Sequence, residues 1–166
     1  MKRLNRRFWL MKTEPDCFSL NDLKSSPAGT APWDGVRNYQ ARNLLRDEIQ
    51  VGDGVLFYHS NIPSPAIVGL ACIVRRGYPD HTALDPNSRH FDPRATEDNP
   101  IWYMVDVKFL AELPVPLTRD LLRVHPSLSG MGVLKKGNRL SVQPVTGEEW
   151  QAVLDCGGLE DPLSDQ

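Results

Sequence analysis

The sequence predicts an α+β fold, in which a curled antiparallel or mixed sheet, or a small barrel, is flanked by short helices. Fourteen prolines and twelve glycines divide the 166 residues into short segments, which favours this arrangement over a helix bundle. Strand-like segments outnumber helix-like ones, and the helices lie between strands instead of forming repeats. The length supports one hydrophobic core and is too small for two domains of usual size, so residues 1–166 are expected to form one domain.

Apolar and β-branched residues predict five strands. The clearest alternation lies in the fourth strand, where Val105, Val107 and Phe109 are separated by Asp106 and Lys108. Because successive side chains of a strand point to opposite faces, this strand is expected to bury one face only. The five strands are predicted at residues 8–11, 54–60, 66–76, 101–110 and 139–145.

Four segments are predicted to be helical, at residues 19–24, 37–46, 118–124 and 146–155. The last begins with a capping box, because Thr146 precedes Glu149 by three residues. Residues 78–100 contain four prolines and little periodicity, which predicts a long surface loop of functional or mobile character. The acidic tail at 157–166 is expected to be flexible, so the folded core is predicted to run from about residue 8 to residue 156.

The composition argues against several classes of protein. No apolar run is long enough to cross a bilayer, and the first 15 residues have charge but no signal-peptide h-region. The three cysteines are odd in number and widely spaced, which argues against a disulfide framework and a zinc site. We therefore expect a soluble, cytoplasmic protein, nuclear if the chain is eukaryotic, with no membrane partner and with a monomer favoured.

The net charge of -2 excludes nucleic-acid binding by bulk electrostatics alone. The charge is unevenly distributed, however, because residues 1–12 carry basic side chains and no acidic one. A basic strip of this kind can position an anionic polymer. It consists of Lys2, Arg3, Arg6, Arg7 and Lys12.

Standard catalytic signatures are missing from the sequence, which has no nucleophile elbow, zinc-protease motif, P-loop or dinucleotide-binding glycine motif. His59 and Ser60 are adjacent, but neighbours on a strand point to opposite faces and form a poor pair of base and nucleophile. The remaining histidines lie in loops without the spacing of metal ligands. No catalytic residue, metal or cofactor is therefore expected.

The stretch APWDGVRNYQARN, residues 31–43, combines one indole with several planar polar groups. Trp33 follows a proline and precedes Asp-Gly, so it lies in a turn, where its ring either fills a core or lines a cleft. Arg37, Asn38, Tyr39 and Arg42 follow closely. Amides and guanidinium groups match the edges of bases and phosphates, and aromatic rings stack on bases in proteins that bind single-stranded nucleic acids.

Three further clusters combine polar and aromatic residues at strand or loop ends, where side chains are displayed on a rigid support. Each cluster alone is equally compatible with a structural role, but four clusters together favour a shared pocket. The three consist of Tyr58, His59, Ser60 and Asn61; of Trp102 beside Tyr103; and of Arg139, Ser141 and Gln143 on one face of the last predicted strand.

Seven blocks of the chain closely resemble, in the same order, the EVE domain, a member of the PUA-like superfamily related to the YTH domains. The blocks are FWLMKTEP (8–15), WDGVRNYQARN (33–43), LFYHSN (56–61), IVGLA (67–71), YPD (78–80), WYMVDV (102–107) and RLSVQPVT (139–146). The resemblance implies a small, curled PUA-like β-barrel of about five to six mostly antiparallel strands, flanked by short helices.

The resemblance also implies a pocket that receives one modified base flipped out of DNA or RNA, since YTH relatives clamp a methylated base between aromatic rings. Trp33 and Trp102 are then the expected stacking rings, and Ser60, Asn61 and Ser141 are the expected readers of the base edge. Lys12 and Arg42 are expected to bind phosphate. The matching blocks add Arg37, Asn38, Tyr39, Tyr58, His59 and Arg139 to the expected ligand-binding residues.

Two other functions stay open on the sequence. An enzyme acting on a modified nucleotide or base would use Lys12, Asp34, His59 and Ser60 for proton transfer, although the missing motifs count against it. A small-molecule-binding or protein-interaction module would use the same pocket for a metabolite, and its affinity would depend little on salt. The resemblance favours a non-catalytic reader of nucleic acids.

Overall fold

The computed structural model describes residues 5–164, which form one six-stranded sheet and four short α-helices. The strands are β1 (Phe8–Thr13), β2 (Thr30–Pro32), β3 (Gly54–His59), β4 (Ala66–Pro79), β5 (Tyr103–Thr118) and β6 (Val142–Val145). The helices are α1 (Leu20–Ser25), α2 (Tyr39–Asn43), α3 (Arg119–Val124) and α4 (Gly147–Gly157). None of these helices is both long and apolar enough to cross a membrane.

The strand order across the sheet is β2-β5-β4-β3-β1-β6. β1 and β3 run parallel, and the other neighbouring pairs are antiparallel. The predicted α+β class with five to six mostly antiparallel strands and short helices is therefore confirmed. Within residues 5–164 the two end strands form no ladder with each other, so backbone hydrogen bonding leaves the expected barrel open between β2 and β6.

Two apolar cores cover the two faces of the sheet. In β1, Trp9 and Met11 belong to the first core, and Leu10, which lies between them, belongs to the second. Residues of α1 and α2 pack on the first core, while residues of α3 and α4 pack on the second. The predicted alternation in β5 is confirmed, because Val105 and Val107 are fully buried in the first core.

The long segment predicted as a loop at 78–100 is shorter than expected at its start, because β4 continues to Pro79 and pairs there with Tyr103. A short 3-10 helix follows at His81–Leu84. β5 begins at Tyr103 instead of residue 101, because Ile101 has a φ of 62°, a left-handed conformation that a strand does not contain.

The last strand is also shorter than predicted. The backbone N–H of Leu140 donates to the side-chain oxygen of Asn138 at 3.2 Å, which forms a turn before the strand. β6 therefore begins only at Val142, and the prediction that Arg139 and Ser141 share one face of a strand is wrong. The short edge strand β2 was not predicted, since three residues give no periodicity to detect.

Side-chain caps determine where two helices begin. The predicted capping box of α4 is confirmed, because Thr146 and Glu149 each accept a hydrogen bond from the other's backbone N–H. α2 begins at Tyr39, two residues later than predicted, because the side chain of Asn38 accepts a hydrogen bond from the N–H of Ala41 and caps the helix there.

The described part of the C-terminal segment, residues 157–164, packs on the fold, and the flexibility expected at 157–166 stays a prediction. Gly157 is the last residue of α4, and Gly158 ends the helix in a left-handed conformation. Leu163 is fully buried in the second core, and its carbonyl accepts a hydrogen bond from the Arg6 side chain. An apolar side chain among acidic residues thus anchors the segment.

Candidate functional site

A cavity of about 660 Å³ lies where the end of β1, the segment between β2 and α2, and the loop after β4 meet. Its volume falls in the range of about 300–1,000 Å³ that is typical of sites for small organic groups. The wall combines aromatic, charged and hydroxyl-bearing side chains. It is lined by Lys12, Thr13, Glu14, Cys17, Phe18, Ala31, Pro32, Trp33, Asp34, Gly35, Val36, Arg37, Thr82, Ser88, Arg89, His90 and Ser141.

Trp33 is the indole in this wall, and the first core holds it in place. The ring of Phe57 lies 5.4 Å from the indole, centroid to centroid, at an interplanar angle of 80°. The ring of Phe18 lies 6.3 Å away at 86°. Both contacts are perpendicular, so neither ring stacks in parallel on the indole. The backbone N–H of Trp33 donates to the carbonyl of Val105 at 2.7 Å, which attaches this turn to β5.

Arg37 joins two walls of the cavity. Its guanidinium group donates twice to the carbonyl of His90, at 2.7 and 3.1 Å, and once each to Val36 O at 3.0 Å, Asp80 Oδ2 at 2.9 Å and Thr82 Oγ1 at 3.2 Å. These five bonds engage all the N–H groups that a guanidinium group has. Arg37 therefore shapes the cavity, and its donors are already satisfied by the protein.

Asp80 is the buried partner of this arginine. Its carboxylate also accepts hydrogen bonds from the backbone N–H of Gly35 at 2.8 Å and from the N–H and hydroxyl of Thr82. Burial alone would raise the pKa of Asp80, but the hydrogen bonds from Thr82, Gly35 and Arg37 outweigh burial and hold that pKa below its ordinary value. The charged carboxylate therefore fastens the loop after β4 to the segment that carries Trp33.

Gly35 is required at the point where these two segments meet. Its φ is 78°, in the left-handed region that favours glycine. A Cβ atom at this position would lie 2.6 Å from Nε2 of His90, which is far closer than van der Waals contact. The packing of the His90 imidazole against this turn therefore depends on the missing side chain.

Charges of both signs line the cavity, on Lys12, Arg89, Glu14 and Asp34. Burial lowers the pKa of Lys12, and the positive charge of Arg119 lowers it further. The backbone N–H of Lys12 donates to the carbonyl of Ser141 at 2.8 Å. The end of β1 and the residues before β6 therefore form one continuous rim.

Trp102, the second expected stacking ring, does not belong to this cavity. Its indole is buried, and Nε1 donates to Oδ2 of Asp92 at 2.8 Å. Tyr39 stacks on it with centroids 4.9 Å apart and planes at 27°, and Tyr39 itself is 49% exposed. Trp102 is thus a buried side chain of a small third core, and the stacked ring of Tyr39 shields it from solvent.

The side chains of Asn38 and Arg42 form hydrogen bonds outside the cavity lining. Asn38 caps α2 and is exposed away from the cavity lining. The guanidinium group of Arg42 donates to Asn43 Oδ1 at 2.8 Å and to the carbonyl of Ile101 at 2.6 Å. Arg42 also lies over the ring of Tyr39, at 5.0 Å from its centroid. These contacts place Arg42 in the region around Trp102.

Two residues of the 58–61 cluster support the cavity from outside. The backbone N–H of Ser60 donates to the carbonyl of Thr13 at 2.9 Å, and the side-chain amide of Asn61 donates to Glu14 at 3.1 Å. Thr13 and Glu14 line the cavity, whereas Ser60 and Asn61 do not. These contacts position the wall, and the role of both residues in reading a base edge stays a prediction.

The other two residues of that cluster are held in the fold. His59 accepts a hydrogen bond from the N–H of Leu20 on Nε2, at 3.1 Å, and burial lowers the pKa of this imidazole. Its acceptor nitrogen is therefore engaged at the start of α1. Tyr58 is buried in the second core, on the sheet face away from Trp33, and burial raises its pKa to about 12.

Of the thirteen side chains expected to bind ligand or phosphate, the cavity brings together Lys12, Trp33, Arg37 and Ser141. Arg139 is exposed and lies outside the lining. Lys2 and Arg3 of the basic strip lie outside the described residues.

The sequence predictions missed one side of the cavity, which Thr82, Ser88, Arg89 and His90 contribute. The signal for this side was the length and irregularity of the loop after β4, which indicated function without selecting residues. Phe18 was also missed, because one aromatic residue before a helix gives no specific pattern. Within residues 5–164, no three or more His, Cys, Asp or Glu side chains are grouped so as to hold a metal.

Comparison with known proteins extends the similarity over most of the chain. The model of the EVE domain family matches residues 7–156. Human thymocyte nuclear protein 1 is 45% identical over 163 residues, which cover 88% of this chain and 72% of the human protein. The crystal structure of human THYN1 protein in complex with 5-methylcytosine-containing DNA has a TM-score of 0.85 at 42% identity, and covers 93% of this chain and 99% of that chain.

A more distant structure has the same fold. The YTH domain of Zygosaccharomyces rouxii MRB1 protein, solved in complex with N6-methyladenosine RNA, covers 97% of this chain and 90% of that chain. Its TM-score is 0.54 at 15% identity, so this likeness shows a shared fold alone. The family match and the identity to the human protein show that this chain belongs to the EVE domain family.

Proposed function

We propose that this chain is a non-catalytic nucleic-acid-binding module that holds one flipped, modified base of DNA or RNA in the cavity beside Trp33. The observation that carries the proposal is the position of the Trp33 ring, which is buried to 6% exposure but borders a cavity of about 660 Å³, and on which no ring of residues 5–164 stacks in parallel. A planar heterocycle is the kind of ligand that such a ring stacks on.

The relatives support the same class of ligand. Human THYN1 protein, which is similar over 93% of this chain, was crystallised with DNA that contains 5-methylcytosine. DNA with this base is therefore the first ligand to test, and RNA remains within the proposal. The relatives named thymocyte nuclear protein support a nuclear location for members of eukaryotic origin.

In this proposal Trp33 stacks on the base, while the hydroxyl groups of Ser88 and Ser141, which line the cavity, donate to its edge. Arg37 acts indirectly, by holding the walls at the separation that the base requires. Flipping a base costs a few kcal/mol, least where the strand is already single, and stacking returns about 1–3 kcal/mol. Lys12 and Arg89 supply positive charge for the flanking phosphates.

An enzyme is less well supported. Of the four groups that it would use, His59 accepts a hydrogen bond from Leu20 and, like Ser60, does not line the cavity, which leaves only Lys12 and Asp34 there. A metabolite-binding module would use the same cavity, but it would gain little from the cations at the rim. Mass spectrometry of the recovered ligand distinguishes an enzyme from a reader, because a reader returns its ligand chemically intact. The salt dependence of binding distinguishes a metabolite-binding module, whose affinity should depend little on salt, from a nucleic-acid reader.

The test is a binding screen with oligonucleotides that differ at one modified base, at fixed ionic strength, with the variants Trp33→Leu and Trp33→Phe. Trp33→Leu keeps an apolar side chain in the first core but removes the stacking surface, so it should weaken binding roughly 5- to 100-fold. Trp33→Phe retains a ring and should lose less. If folded Trp33→Leu binds every oligonucleotide as the wild type does, the proposal is wrong.

A further inference from the structure

A second groove, of about 230 Å³, lies at the opposite end of β5 from Tyr103, where β5 leads into α3. We call it the α3 groove. Its lining is polar and contains two arginines and two hydroxyl-bearing residues. The residues are Pro63, Ser64, Pro65, Thr118, Arg119, Asp120 and Arg123.

Arg119 has an unusual environment for a guanidinium group. Its Nε atom is buried and has no hydrogen-bond partner within residues 5–164. Its backbone N–H donates to the carbonyl of Pro65 at 2.9 Å, which positions the residue against the start of β4. A buried donor without an acceptor is costly to a fold, so a partner for Arg119 from outside the chain would be favourable.

A second buried polar atom lies in the same region. The hydroxyl of Tyr58 is buried and also has no hydrogen-bond partner among the described residues. Burial raises the pKa of Tyr58, and the positive charges of Arg119 and Arg123 lower it, so both arginines lie near this phenol. Cations and a phenol donor therefore concentrate at one end of the second core.

One acidic residue lines the α3 groove, and it faces outward. The carboxylate of Asp120 pairs with Arg123 at 3.2 Å, and its side chain is 92% exposed. An ion pair this exposed contributes little and is readily exchanged for other partners. The groove thus keeps a net positive charge from Arg119 and Arg123 against Asp120.

The α3 groove and the Trp33 cavity are connected through Lys12. Lys12 lines the cavity and lies opposite Tyr58 in the pairing of β1 with β3. Tyr58 in turn lies opposite Ile67 of β4, and Ile67 lies opposite Leu117 of β5, next to the groove. Burial is the main cause that lowers the pKa of Lys12, and the positive charge of Arg119 lowers it further, so the two side chains lie near each other. Lys12 therefore supplies a positive charge between the cavity and the arginines of the groove.

We propose that the α3 groove is a phosphate-binding subsite, occupied by the sugar-phosphate backbone of the strand whose base enters the Trp33 cavity. This inference rests on the proposed function. Arg119 would donate to the phosphate in the forked geometry that guanidinium and phosphate groups share, with Ser64 and Thr118 as hydroxyl donors. Lys12 would contact the backbone between the base and this phosphate, which determines the path of the strand across the sheet edge.

The experiment compares wild type with Arg119→Gln, Arg119→Lys and the control Arg76→Gln. Arg76 is exposed and lies near the far end of β4 from the groove, so its replacement removes the same charge elsewhere. The ligands are a DNA oligonucleotide with one 5-methylcytosine and the free nucleoside 5-methyl-2′-deoxycytidine, which carries no phosphate. Binding is measured from 50 to 200 mM salt, and thermal unfolding checks that each variant is folded.

Arg119→Gln should bind the oligonucleotide roughly 3- to 10-fold more weakly. It should also reduce the ratio of affinities at 50 and 200 mM salt by a factor of about 3, as expected for the loss of one phosphate contact. Arg119→Lys should keep most of the salt dependence and lose part of the affinity, because it retains the charge without the fork. Nucleoside binding should not change in either variant, and Arg76→Gln should match the wild type with both ligands.

The outcomes separate this inference from the proposed function. If the wild type binds the oligonucleotide and folded Arg119→Gln matches it in affinity and salt dependence, the subsite is wrong and the base cavity stands. If Arg119→Gln weakens binding but neither the modified base nor Trp33 affects it, the subsite stands and the base-reading function is wrong. Weaker binding of the nucleoside by Arg119→Gln would also contradict the inference, since it would show an effect on the base cavity.

Discussion

Trp33 and Trp102 make an instructive comparison, because the family resemblance implied the same role for both indoles, that of a ring stacking on a base. Trp33 lines a cavity, and the two rings that contact it are perpendicular to it. Trp102 is covered by the stacked ring of Tyr39, and its N–H donates to buried Asp92. The difference teaches that the role of a tryptophan depends on what covers its ring and binds its N–H.

Arg37 belongs to both regions. It lines the Trp33 cavity, and its guanidinium carbon lies 5.4 Å from the centroid of the Trp102 ring. Its bonds to Asp80 and His90 hold the loop after β4, whose residues form one side of the cavity. The region around Trp102 therefore supports the cavity beside Trp33, and substitutions can separate the two roles.

The largest effect on stability is expected from Trp102→Ala. This change removes a buried indole and should lower the free energy of unfolding by about 3–5 kcal/mol, measured by denaturant titration. Under conditions where the variant is folded, its affinity for an oligonucleotide with a modified base should stay close to the wild-type value. A variant of wild-type stability that has lost binding would show that Trp102 contacts the ligand after all.

A smaller loss, about 2–3 kcal/mol, is expected from Arg37→Gln, which leaves buried Asp80 without its cation. The effect falls below the range for fully buried pairs because 22% of the Arg37 side chain is exposed. The variant should also bind modified DNA more weakly, because the loop after β4 loses its attachment. Arg37→Lys, which keeps the charge with fewer hydrogen bonds, is the matched control and should lie between the variant and the wild type.

Arg37→Gln should also change how the free energy of unfolding depends on pH. The pKa of Asp80 in the folded protein lies below its ordinary value of 3.8, so the unfolded chain takes up this proton first as the pH falls. The contribution of Asp80 to stability is therefore complete above the ordinary pKa and is lost as the pH falls through the folded pKa. In Arg37→Gln the folded pKa rises, and unfolding free energies between pH 6 and pH 2 should depend less on pH. An unchanged pH dependence would contradict the role given to this pair.

The smallest effect is expected from Tyr39→Ala. Tyr39 is 49% exposed and stacks on Trp102, and aromatic pairs contribute about 0.5–1.5 kcal/mol beyond the burial of their surface. Unfolding free energy should fall by about 1 kcal/mol, and the fluorescence of the newly exposed indole should shift. Tyr39→Phe should match the wild type in both measurements. If Tyr39→Ala instead abolishes nucleic-acid binding at wild-type stability, Tyr39 is part of the interface.

Much of the fold followed from local patterns in the sequence. The alternation in β5, the capping box of α4 and the dominance of strands each depend on residues that are close in the chain, so they can be recognised without coordinates. The errors occurred where a single backbone conformation interrupts a pattern, as Ile101 does before β5 and Asn138 does before β6. Propensities average over such positions and do not register them.

The site was harder to predict than the fold. The sequence identified Lys12, Trp33, Arg37 and Ser141, and these four residues line the cavity. It also selected Tyr58, which instead lies in the core on the other face of the sheet. It could not identify Arg119 or His90, because neither lies in a motif. Arg119 reaches the α3 groove through the pairing of distant strands, and His90 reaches the Trp33 cavity through the approach of a loop.

The order of amino acids by itself determined the family, the α+β class, the alternation of residues 105–109 in β5 and the set of aromatic and basic residues from which a site is built. These properties depend on composition and on neighbours within a few positions. Only the tertiary structure decided which indole lines a cavity, which arginine already has all its hydrogen bonds and which one has a buried donor unpaired. Those properties depend on partners that are remote in the chain, and burial and hydrogen bonding between remote residues are created by folding.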